Sequence, residues 1–146
     1  MKITGSVQVV VRNAKGRITR RIVQKNLVVQ LGLNNFAEIV RTNNGSTVAP
    51  THLGAGTDAT APNLGQTTLL AESGVLARCV MTPTRATNVL TWAGTLAAGA
   101  SAVLVKEMGM FNAAVAGAMY ARFLPTEFTL EVGGSAAISW ALTFGE

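Results

Sequence analysis

The chain has 146 residues, 49% of them hydrophobic, 5% aromatic and 13% charged, and its 12 lysines and arginines outnumber 7 acids for a net charge of +5. That length fits one domain with one core, burying roughly 70% of the unfolded chain's surface, and leaves no room for a second, catalytic domain. One cysteine excludes an internal disulfide, and the polar alternation that follows Met1-Lys2 lacks the apolar core of a signal peptide.

The charged fraction is about half that of an average soluble chain. So little charge leaves much uncharged surface, which suits a protein covered by partners. The positive charge is local: residues 1–50 hold eight basic side chains and one acid, Glu38, whereas residues 51–146 hold four basic and six acidic ones.

In chain order, GSVQVVVRNAKGRITRRIV (5–23) predicts a β-hairpin. Val7, Val9 and Val11 alternate with polar neighbours, NAKG supplies the turn with Gly16 free to take positive φ, and Ile18 and Ile22 continue on the return strand. The period then changes: Leu33, Phe36, Ala37 and Val40 form the stripe of one short amphipathic helix over 30–42, ended by NNGS at 43–46. The stretch THLGAGTDATAPNLGQTTLLAES (51–73) reads as a structured loop, with glycines for tight turns and threonines to satisfy backbone groups.

Period two then returns in GVLARCVMTPT, NVLTWAGTL, SAVLVKEMGMF and AMYARFL. Residues 86–105 are uncharged, long enough for a membrane span, but two glycines and five Thr, Ser and Asn side chains interrupt them, and the strand alternation takes precedence. Phe128, Leu130 and Val132 lead through Gly133-Gly134 into Ala136, Ile138, Trp140, Leu142 and Phe144, predicting a strand central to the sheet. The fold class expected is all-β with one short helix: a single domain, 1–146, forming an antiparallel β-sandwich or jelly-roll-like fold. Its parts are a basic N-terminal hairpin (1–25), the helix (30–42) and the main strands (75–146).

Signals for chemistry are sparse. Gly54, Gly56 and Ala59 match a G-x-G-x-x-A dinucleotide fingerprint, but Pro62 and Asn63 follow where a helix would have to open, so no cofactor is expected. His52 is the only histidine, with only Asp58 near it in sequence, which predicts no metal site. Cys79, in LARCVM, reads as a buried small hydrophobe, and the glutamates stand singly. No catalytic residue emerges, and the chain is read as not an enzyme. What remains is electrostatic: Arg12, Lys15, Arg17, Arg20, Arg21 and Lys25 place six cations within 14 residues of the hairpin, a partner-binding patch for something acidic. Without aromatic residues before Phe36 it would hold nucleic acid only non-specifically.

Asn26-Leu27-Val28, Gly32-Leu33, Gly54 to Thr57 and Thr67 to Glu72, followed by Glu107, Gly109, Phe111, Asn112, Ala121 and Arg122 and the alternating strand 136–144, follow one another in a recognisable order. In this order and spacing, over about 120 of the 146 residues, the chain resembles a family of small virion proteins of tailed bacteriophages. The resemblance implies a β-rich, non-enzymatic structural protein of the particle. With no fibre repeat and an opening at Met1, it looks more like a capsid decoration, or cement, protein than a piece of a fibre. Such a protein would bind the major capsid protein on the outside of the head and associate with copies of itself as a trimer or other symmetric oligomer, with no membrane and no specific nucleic acid. A tail, fibre-base or baseplate component is the alternative. A carbohydrate-binding module stacking sugars on Trp92 or Trp140 is a more distant one.

Overall fold

The computed structural model describes residues 2–42 and 49–145. It opens with the hairpin the sequence predicts: β1 (Lys2–Arg12) and β2 (Ile18–Val28). The Asn13 side-chain carbonyl accepts from the Lys15 and Arg17 N–H groups, and Gly16 takes φ +75°. Val7, Val9 and Val11 face inward and are buried, each stabilising the fold by about 1.5–3 kcal/mol.

After one residue, Val29, helix α1 (Gln30–Thr42) begins, with the predicted bounds but a rotated face. Gly32 and Phe36 are buried and Leu33 and Ile39 partly so, whereas Ala37 is exposed and Val40 is 81% exposed. The cause is a close approach: a Cβ on Gly32 would collide with the backbone of Tyr120, so the helix docks through that glycine and turns the stripe one position toward it. The predicted stop at 43–46 lies outside the described residues.

Among the described residues nine further strands follow: β3 (His52–Gly56), β4 (Cys79–Val80), β5 (Thr82–Ala86), β6 (Val89–Ala97), β7 (Val103–Val105), β8 (Glu107–Phe111), β9 (Met119–Phe123), β10 (Phe128–Leu130) and β11 (Ser135–Gly145). All pairings are antiparallel, in one sheet ordered β4-β3-β8-β9-β2-β1-β11-β6-β5 and a ribbon of β10 with β7. β2 belongs to both halves of the large sheet. Residues 18–26 pair with β1, and only Leu27 and Val28 reach β9, opposite Arg122 and Ala121.

The sheet therefore folds over on itself, nearly closing as a barrel, and its halves face each other as sandwich layers do. The rings of Phe123 on β9 and Trp140 on β11 meet edge-to-face across the core, 5.2 Å apart. The Phe36 ring of the helix closes one end against Tyr120 and Phe144.

Several predicted elements are redistributed. The stretch 51–73 is not all loop: its start is β3, interior to the sheet. GVLARCVMTPT divides at buried Met81, whose N–H donates to the Thr51 carbonyl, and SAVLVKEMGMF divides at Lys106, whose N–H donates to Gly56. The segments joined by Gly133-Gly134 do not pair with each other. β10 pairs with β7, and β11 lies between β1 and β6, interior to the sheet as its alternation requires. No helix among the described residues is long and apolar enough to cross a membrane, and residues 86–105 hold β6 and β7.

Candidate functional site

Glu107, Gly109, Phe111 and Arg122 gather on the outer face of β8 and β9, whereas Ala121 faces the main core. On β8, period two sends Glu107, Gly109 and Phe111 to the same side. Gly109 leaves room for Leu69, whose Cδ2 would lie 2.9 Å from any Cβ there, so the loop that follows β3 can pack on the sheet. Val29, Leu69, Phe111 and Met119 form a second small core beneath that loop.

Glu107 fastens it. Its carboxylate accepts from the Leu70 and Ala71 N–H groups at 3.1 and 2.7 Å and from Arg122 Nε at 2.9 Å. Arg122, on β9, donates Nη1 to the Thr60 carbonyl at 2.7 Å and to Gln66 Oε1 at 3.4 Å, while Nη2 sits 2.8 Å from Glu107 and 3.6 Å from Asp58. Both side chains of the Glu107–Arg122 pair have 0% exposure. Hydrogen bonds from Thr60, and secondarily the Arg122 charge, hold the Asp58 carboxyl below its ordinary range.

Arg78 closes the far end of the loop. It meets Glu72 through Nε at 2.6 Å and Nη2 at 2.8 Å, donates Nη1 to the Ala113 and Ala116 carbonyls, and lies 3.4 Å above the Phe111 ring. The Asn112 side-chain carbonyl accepts from the Ala118 N–H and shapes the turn between β8 and β9. This arrangement clamps a loop; every charge in it is compensated. Asp58 and Glu107, separate in sequence, converge on one guanidinium, so they form no free acid–base pair.

Other candidates are likewise absorbed by structure. Gly54 and Gly56 lie within β3, not in a strand-to-helix turn. His52 is half-buried with Nδ1 2.8 Å from the Thr51 hydroxyl. Cys79, on β4, is half-buried, and burial pushes its thiol up to about 11. Trp92 donates to the Pro50 carbonyl and is 3% exposed, and Trp140 is 0% exposed, so neither presents the open ring face that sugar stacking needs.

The six hairpin cations are all exposed. They do not form one patch. Arg21 and Lys25, opposite Val10 and Ser6, lie on the outer face, whereas Arg20, opposite Val11, takes the inner side at the barrel mouth and donates to the Glu127 carbonyl at 2.6 Å. Arg12, Lys15 and Arg17 surround the turn, with Arg12 donating to the Gly16 carbonyl. Among the described residues none of the six forms a salt bridge.

Sequence reasoning missed two features. The clamp had a signal, a glutamate and an arginine inside the apolar strands KEMGMF and MYARF. The other is an apolar groove of about 860 Å³ between α1 and the β5–β6 hairpin, lined among others by Leu33, Phe36, Val40, Leu90, Trp92 and Phe144. Its residues come from five separate elements, so no local pattern marks it. Comparison of the chain with protein-family models, curated proteins and solved structures gave no match.

Proposed function

We propose that this chain is a non-enzymatic structural protein of a tailed-bacteriophage particle, a capsid decoration protein that docks its basic hairpin on the major capsid protein. The observation that carries this reading is the division of labour among the polar residues. Glu72, Arg78, Glu107 and Arg122 hold a rigid scaffold together, while the hairpin cations are exposed and, among the described residues, form no intramolecular salt bridge. A charge set that the fold leaves uncompensated is available to an acidic surface. Each bound copy would stabilise the assembled lattice by linkage, because it binds the assembled form and not the dissociated one. The motifs on which the virion resemblance rests include Glu107, Gly109, Phe111 and Arg122, residues that build the scaffold, so the resemblance bears on the framework and the hairpin bears on the partner.

The test is the amount of this protein relative to the major capsid protein in purified particles. A simple lattice ratio supports the head; a ratio of a few per cent moves the protein to the tail, fibre base or baseplate; absence from particles overturns the reading. Neutralising Arg17, Arg21 and Lys25 together should weaken attachment and flatten its salt dependence. Arg20 is left intact because it also bonds Glu127.

A further inference from the structure

β2 has an open side. Residues 18–26 pair with β1 alone, and among the described residues no strand occupies their other edge until Leu27 meets β9. Alternation fixes which groups point there. The Val29 N–H donates to the Tyr120 carbonyl on the β9 side, so at two-residue spacing Arg21, Val23 and Lys25 direct their N–H and C=O groups to the same side. No ladder, turn or side-chain bond among the described residues takes them.

Across the gap, residues 126 and 127 approach only through side chains: the Thr126 N–H donates to Gln24 Oε1 at 2.7 Å, and Arg20 reaches the Glu127 carbonyl. A paired strand would stand about 4.8 Å away and bond through its backbone. The gap is instead flanked by two clefts of about 350 and 250 Å³.

We propose that this edge of β2 takes an extended acidic segment of a partner protein as an added strand. The inference rests on the reading of the hairpin as the docking surface and specifies how it docks. Charge selects the occupant. No acid precedes Glu38, so a second copy of the same edge would set arginine against arginine, which opposes self-pairing. On the outer face Arg21, 71%-exposed Val23 and Lys25 are spaced by two, so a complementary strand carries an acid, an apolar residue and an acid at alternate positions.

The experiment uses the full chain and a synthetic nine-residue peptide with glutamates at positions 3 and 7 and a valine at 5, read by amide hydrogen exchange and fluorescence anisotropy. Added peptide should slow exchange at Arg21, Val23 and Lys25, and Val23→Pro, which removes an edge donor while leaving the bonds of Ile22 to β1, should weaken binding by about tenfold or more. A peptide of the same composition with its glutamates adjacent should bind more weakly. Slowed exchange at those three amides in the unsubstituted protein supports the proposal even if the proline variant fails to fold. Unchanged exchange at those amides, equal affinity for both peptides, or the same protection by a single-stranded oligonucleotide of equal charge overturns it. None of these readouts depends on particles, so failure here is distinguishable from failure of the virion assignment.

Discussion

Deleting the Glu107 carboxylate tests the clamp most directly. Glu107→Ala leaves the Arg122 guanidinium at 0% exposure with Asp58, 3.6 Å away, as its remaining counter-charge, and strips the acceptor from the Leu70 and Ala71 amides. Removing one partner of a buried ion pair costs about 3–5 kcal/mol. Each orphaned amide would add about 1–3 kcal/mol if the loop stayed in place. The loop can release to water, and the loss is then capped near the forfeited burial of Leu69, about 2 kcal/mol, in addition to the stranded charge. We therefore expect a loss of about 5–7 kcal/mol overall, read by urea unfolding as a midpoint lowered by about 3 M for a typical slope of about 2 kcal/mol/M. The double substitution Glu107→Leu with Arg122→Met replaces the pair by apolar groups of similar bulk and should recover the stranded-charge part of that loss, leaving the part due to the Leu70 and Ala71 amides. A single variant losing under about 1 kcal/mol, or a double variant losing the sum of the two singles, would refute the clamp.

Four further substitutions or measurements bear on the scaffold. Gly32→Ala should destabilise the protein by about 1–3 kcal/mol in thermal or urea unfolding, although alanine favours an isolated helix by about 1 kcal/mol, because the new Cβ meets the Tyr120 backbone. Arg78→Lys should cost about 1–3 kcal/mol, since an ammonium cannot hold Glu72 through two nitrogens and also reach Ala113 and Ala116; a variant indistinguishable in unfolding would remove that contact from the account. With burial raising the Cys79 thiol from 9.0 to about 11, its alkylation at pH 8 should run about 100-fold slower in the folded chain than in urea. Tyr120 is pushed up to about 12 by burial as well, so the folded state keeps both protons longer than the unfolded one. The stability they contribute is intact below about pH 9 and is lost as pH rises through about 11 and 12, which an alkaline unfolding series measures.

The sequence by itself determined whatever depends on near neighbours. The hairpin with its Gly16 turn, the helix over 30–42 and the alternating strands were legible because side-chain period and turn chemistry act within a few residues. The six hairpin cations were legible too, and adjacency alone places Arg20 and Arg21 on opposite faces. Pairing across long separations was decided only by the tertiary structure. β10 reads as the natural partner of β11 across Gly133-Gly134, yet it pairs with β7, because β11 is held on both sides by β1 and β6. The helix stripe turned from Ala37 and Val40 toward Gly32 because the docking surface, the Tyr120 backbone, lies 88 positions away. The clamp needs β3, β8 and β9 to be neighbours before Glu107 can reach Leu70 and Ala71. The open edge of β2 exists because the strand leaves β9 after two residues of pairing. Backbone hydrogen bonds carry no side-chain signature, so sheet order, and with it each surface that could meet a partner, emerges only when distant strands compete for the same edges.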